Sequence, residues 1–217
     1  MNGERKGTPL RNRTAIALAG FLLLCCLWMS APGGNGQETI VAVRHGEKPA
    51  AGLGQLNCKG LNRALALPKV LARYGKPDAI FAPDPAAEVN DWSRTDYSYV
   101  RPLVTIEPTA IALGMPVNAE IGFRNVAKLE AAVTAPDYAN ALIFIAWEHE
   151  KLNEFARAML LRYRGDPLKV PDWRGDDYDR IYVFTITQTA SGPALAFRID
   201  HEGLDGTLSD ACPGPAQ

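Results

Sequence analysis

Apolar and polar positions along residues 38–200 follow two rhythms, and the rhythm changes at each Gly- or Pro-containing break. Short continuous apolar runs predict buried strands at Glu38–Val43, Asp78–Ala82 and Ala141–Ala146. Helical spacing is clearest after His149, where Leu152, Phe155, Ala156, Met159 and Leu160 fall at i, i+3, i+4, i+7 and i+8, a stripe suited to packing on a sheet. A further helix is predicted from about Lys59 to Tyr74, kinked at Pro68 and ended by Gly75. Another ends at Leu113-Gly114 and is expected to be interrupted by Pro108; a short strand near Val117 and a helix over Asn125–Val133 follow. Ile181–Thr187 and Ala194–Ile199 flank Ala190-Ser191-Gly192-Pro193 and read as a hairpin. Pro83 to Tyr99 reads as a polar loop. Strands alternating with helices, closed by a hairpin, predict an α/β fold with a mixed sheet.

The N-terminal pattern bears on compartment. Arg5, Lys6, Arg11 and Arg13 precede the apolar stretch Ala15–Met29, and the small-residue segment Ala31–Gly36 follows. This is the layout of a secretory signal. No clean Ala-x-Ala is present and Pro32 disfavours cutting after Ala31, so residues 1–36 are read as a signal peptide or an uncleaved membrane anchor. Leu24 before Cys25 argues against a lipidated cysteine. The basic flank keeps that end in the cytoplasm, so the domain over 37–202 and its tail, 203–217, are expected to be exported, periplasmic or secreted. Membrane contact is expected only through the N-terminal segment.

Removing 1–36 takes four basic residues and one acid from totals of 23 and 24, leaving 19 and 23, a net charge of about −4. No basic run survives, which excludes a nucleic-acid partner of the usual kind. Only Cys58 and Cys212 remain, and an oxidising compartment favours their pairing. Two separate thiols are the other reading.

The chemistry concentrates where the first strand ends, in Val43-Arg44-His45-Gly46-Glu47-Lys48. Ligands of open α/β sheets bind at the carboxyl ends of strands. Arg44 offers a forked donor that fits phosphate oxygens, Gly46 a backbone that can come close to a ligand, and His45 a base or nucleophile. The motif resembles the signature of the histidine phosphatase superfamily, which includes phosphoglycerate mutases and acid phosphatases. Asp78-Ala79-Ile80-Phe81-Ala82-Pro83 resembles the second strand of that fold. Arg101 to Thr105, followed by Leu113-Gly114, resembles its second-arginine segment, and Trp147-Glu148-His149 after an apolar strand stands where the family has its second histidine. The resemblance runs from about Glu38 to Leu161 and implies a three-layer α/β/α sandwich with a mostly parallel sheet, phosphoglycerate mutase-like. It implies His45 as nucleophile, with Arg44, Arg101 and His149 as the phosphate pocket.

The proton donor is less defined. Mutase-like members carry a glutamate about eleven residues after the Leu-Gly pair, and here that register falls on Asn125. Glu148 and Glu150 flank His149 instead, and both patterns recur among relatives; Glu148 is ranked ahead. Glu47, Lys48 and the backbone at Gly46 are expected at the pocket rim, with Glu150 and Arg94 reaching substrate. Trp92, Tyr97, Tyr99 and Trp173 are candidates for stacking on a substrate ring. No hydrolase elbow, P-loop, dinucleotide fingerprint or His-Glu-x-x-His is present, and no cofactor or metal is implied. The expected function is an exported phosphomonoester hydrolase with a phosphohistidine intermediate, acting on a phosphorylated small molecule or envelope component. The alternative is an inactive protein of the same fold that binds a phosphorylated ligand.

Overall fold

The computed structural model describes residues 36–90 and 95–214. The N-terminal signal or anchor expected over residues 1–36 lies outside them except for Gly36, and so do Trp92 and Arg94. In chain order the first half forms β1 (Gln37–Arg44), α1 (Cys58–Leu71), β2 (Ala79–Pro83), β3 (Glu88–Val89), β4 (Tyr97–Ser98) and α2 (Arg101–Leu113). The second half forms β5 (Asn118–Ile121), α3 (Val126–Val133), β6 (Leu142–Trp147), α4 (His149–Arg162), β7 (Arg180–Thr189) and β8 (Gly192–His201). One six-stranded sheet runs in the order β5-β2-β6-β1-β7-β8. The first four strands are parallel, and β7 and β8 join antiparallel to β1 and to each other.

Alternation along the central strands explains the layering. Val41, Val43, Ile80, Ala82, Phe144 and Ala146 point to one face and pack under Leu67 and Leu71 of α1 and Ile106 and Ala110 of α2. Ile40, Ala42, Phe81, Ile143 and Ile145 point to the other and pack under Leu129 of α3 and Leu152, Phe155 and Met159 of α4. A sheet covered on both faces needs apolar residues at every position, which is why these strands read as unbroken apolar runs.

Both prolines sit inside helices without ending them. Pro68 lies within α1, whose N-cap Asn57 accepts from Gly60 N at 2.8 Å. The interruption expected at Pro108 is not found: α2 runs through it to a left-handed Gly114. Pro108 has no N–H to give Val104, but buried Thr105, Ile106, Thr109 and Ala110 hold the flanking turns on the sheet.

The segment after β8 is not a free tail, at least as far as Cys212. Glu202 is buried, Asn62 Nδ2 donates to the carbonyls of Ser209 and Ala211 at 2.8 Å each, and Cys212 is bonded to Cys58 at the start of α1. The domain boundary placed after residue 202 therefore cuts through packed chain.

Glu38 carries a testable cost. It is 4% exposed, its Oε1 has no partner, and burial pushes its carboxyl up to about 7 against the opposing charge of Arg162. The folded state thus holds a proton that the unfolded chain releases near 4.5, so stability falls as pH rises from about 4.5 to 7. Two to three pK units correspond to about 3 kcal/mol. Glu38→Gln should flatten this dependence, read as a smaller difference between urea midpoints at pH 5 and pH 8. An unchanged difference would remove Glu38 as its source.

Candidate active site

Parallel β1 and β6 end at the same sheet edge, with Arg44 opposite Trp147 and His45 N donating to Trp147 O at 2.9 Å. Antiparallel β7 begins at that edge. Three chain segments therefore meet there: the turn after β1, the start of α4, and the stretch entering β7.

His45 is 2% exposed. Its Nδ1 lies 2.7 Å from Gly46 O, which can only accept, so Nδ1 carries the proton and the lone pair is on Nε2. Burial, reinforced by the charges of Arg101 and Arg44, pushes the imidazole down to about 3. The ring is neutral and of defined tautomer across the physiological range. Gly46 N donates to Thr105 Oγ1 at 2.9 Å, and Thr105 Oγ1 donates to Arg101 O at 2.8 Å, joining the histidine turn to the first turn of α2.

Arg44 and Arg101 are 2% and 3% exposed. Arg44 Nη1 donates to Asp177 O at 2.7 Å and Arg174 O at 3.3 Å, and its guanidinium lies 3.8 Å from the centroid of the Tyr178 ring. Arg44 Nε is buried without a partner. Arg101, the first residue of α2, stands 4.8 Å from the centroid of Tyr99. The rings of Tyr99 and Tyr178 lie 6.1 and 6.2 Å from that of His45.

Glu148 caps α4 by accepting from Lys151 N at 2.9 Å, and its Oε1 contacts His149 Nδ1. Burial alone would raise this carboxyl; His149 and the amides of Lys151 and Glu150 outweigh it and hold it down at about 2. A proton donor must carry a proton, so the resting geometry fits Glu148 as the carboxylate that orients His149.

The other expected site residues sit in different settings. Glu47 does not line the rim: Arg63 Nε and Nη2 bind both its carboxylate oxygens at 3.0 and 2.8 Å, and Arg63 is fully buried. Gly46 does not offer its amide to a ligand, since Thr105 takes it. A Cβ there would sit 2.8 Å from Gly60 O, so glycine is required for the close approach of the turn to α1. Glu150 is exposed on the first turn of α4. Lys48 is half-buried, and its carbonyl accepts from Asn57 Nδ2 at 3.3 Å. Tyr99 and Trp173 are core residues, packed at a tilt against Phe123 and Tyr182, and so are not free to stack on substrate. His201 is exposed beside Asp179, and Asn125 caps α3 by accepting from Lys128 N.

The sequence reading missed Arg63, Tyr178 and Asp177. A signal for the last two existed. A hairpin strand antiparallel to β1 has its N-terminal end at the carboxyl end of β1, and the register pairs Val43 with Ile181.

Neither a protein-family model nor a curated protein matches the sequence. Among solved structures, the chain is similar to a protein described as the phosphohistidine phosphatase SixA of Nakamurella multipartitia. That likeness has a TM-score of 0.50 and 17% identity over 76% of this chain and 96% of that one. A phosphoglycerate mutase of Plasmodium falciparum gives a TM-score of 0.49 and 13% identity over 76% and 90%. The architecture is an α/β/α sandwich with a mixed, mostly parallel sheet. It is the fold of the SixA structure.

Proposed function

We propose that this protein is a phosphomonoester hydrolase that works through a phosphohistidine on His45. The observation that carries this reading is a neutral, buried imidazole of fixed tautomer that feels the charges of two buried guanidinium groups, Arg101 and Arg44. Nε2 attacks phosphorus, the bond to the leaving alcohol oxygen breaks, and that oxygen takes up a proton. Water then attacks the phosphohistidine, releasing phosphate and returning His45 to its neutral form. Arg44, Arg101 and His149 hold the transferring oxygens, where charge builds in the transition state. The substrate is a phosphorylated small molecule or envelope component, met outside the cytoplasm if residues 1–36 direct export.

The test is turnover. Chelator-treated protein lacking residues 1–36 is expected to hydrolyse members of a phosphomonoester panel and to be inhibited by vanadate. Hydrolysis of none, with phosphate still bound, would favour the inactive binding protein.

Glu148→Gln separates two roles. If Glu148 orients His149, the variant should slow an alkyl phosphate and an activated aryl phosphate by similar factors, about tenfold or more. A loss confined to the alkyl ester would make Glu148 the acid after all.

A further inference from the structure

The C-terminal segment touches both halves of the pocket wall without entering the pocket. On one side, buried Arg63 binds Glu47, two residues beyond His45, and also Glu202 Oε2 at 2.5 Å and Asp205 Oδ1 at 2.7 Å. On the other side, Asp179 O accepts from Glu202 N at 2.7 Å and Asp179 Oδ1 accepts from Leu204 N at 2.8 Å. Asp179 follows Asp177, whose carbonyl holds Arg44, and Tyr178, whose ring covers that guanidinium. One stretch of chain therefore fixes the turn carrying the nucleophile and the stretch carrying the arginine's partners.

Among the described residues, little else holds the far end of that stretch. Beyond Asp205 its ties to α1 are exposed ones: Asn62 to Ser209 and Ala211, and Lys59 to Asp210 at 3.9 Å. Exposed pairs of this kind contribute little. The covalent tether is Cys58–Cys212, which closes a loop spanning 154 residues and leaves Cys212 exposed to reagents. Closing so long a loop disfavours the unfolded chain, and in the folded one the bond fixes the end of the segment to the start of α1.

We propose that the Cys58–Cys212 bond, through segment 202–212 and Arg63, brings the pocket into working geometry, so that oxidation of the two thiols raises phosphatase activity. The inference rests on the hydrolase reading above. Arg63 is a positioning residue in it, acting through Glu47. In forming the bond the two thiols give two electrons and two protons to a disulfide oxidant, which leaves as its dithiol; a dithiol reductant reverses the exchange. A protein made with reduced thiols would then be held at low activity until it meets an oxidising compartment.

The experiment is a redox titration of the protein lacking residues 1–36, following kcat, disulfide content and the imidazole NMR signals of labelled His45. Reduction should lower kcat about tenfold or more, since a misplacement of about 1 Å can cost 10²-fold. It should also shift the His45 signals, with the fold retained by circular dichroism, and kcat should recover on reoxidation. Cys212→Ser should sit at the reduced level and ignore dithiol. Asp205→Asn keeps the disulfide but removes one anion from Arg63, and it should lower kcat several-fold. Reduced protein that stays folded with unchanged kcat and unchanged His45 signals overturns the proposal. So does reduction that merely unfolds the chain while Asp205→Asn retains full kcat. If the oxidised protein turns over no substrate, the hydrolase reading is what fails, and the His45 signals still report whether the clamp acts.

Discussion

His45→Ala is expected to lower kcat/KM by at least about 10⁴-fold while the protein stays folded. The reason is geometric. Only His45 combines burial, a tautomer fixed by Gly46 O, and the charges of Arg44 and Arg101 acting on its ring. Water in the space left by the ring would be a weaker nucleophile and would lack the fixed alignment. The same substitution has a stability signature. The unfolded chain protonates this histidine near 6.5, whereas the folded state resists to about 3. His45 therefore costs stability as pH falls through that window, about 2 kcal/mol between pH 8 and pH 5. His45→Ala should lose less stability than the wild type over that range, in urea denaturation at the two pH values. A variant that keeps substantial turnover would show that another group attacks phosphorus.

Arg44→Ala is expected to cost about 10²- to 10³-fold in kcat/KM, the effect of removing one donor from a preorganised anion site. Arg44→Lys should recover little. The guanidinium spends Nη1 on Asp177 O and Arg174 O and lies over the Tyr178 ring, which leaves Nε buried and unpartnered. An ammonium has neither the plane to stack nor the fork to divide between carbonyls and substrate. Steady-state kinetics on one phosphomonoester, at saturating and limiting concentrations, separates the expected fall in kcat from a rise in KM. Recovery to near wild-type rate in Arg44→Lys would mean that only the charge matters.

Much of this architecture could be read from the chain because its signals are local. The apolar runs ending at Val43 and Ala146 predict strands, and the structure sets β1 and β6 side by side, so Arg44-His45 and Glu148-His149 leave the sheet at one edge. What could not be read depends on contacts between distant segments. Arg63 looks like an ordinary helix residue until the fold brings Glu47, Glu202 and Asp205 around it. Glu47 looks like a rim residue for the same reason. The rhythm of the sequence shows that Pro108 removes a helical hydrogen bond, but not that the packing of its neighbours keeps α2 whole. Tyr99 and Trp173, aromatic residues in irregular segments, were candidates for substrate stacking, yet both fill the core.

The central claim is that His45 Nε2 takes the phosphoryl group. Rapid acid-free quenching of the protein lacking residues 1–36 during turnover of a ³²P-labelled phosphomonoester tests it most directly, followed by peptide mapping. The account predicts a labelled peptide containing His45, with the label stable to alkali, lost in acid, and absent in His45→Ala. Label on another residue, or steady hydrolysis with no label on His45 at any quench time, would contradict it.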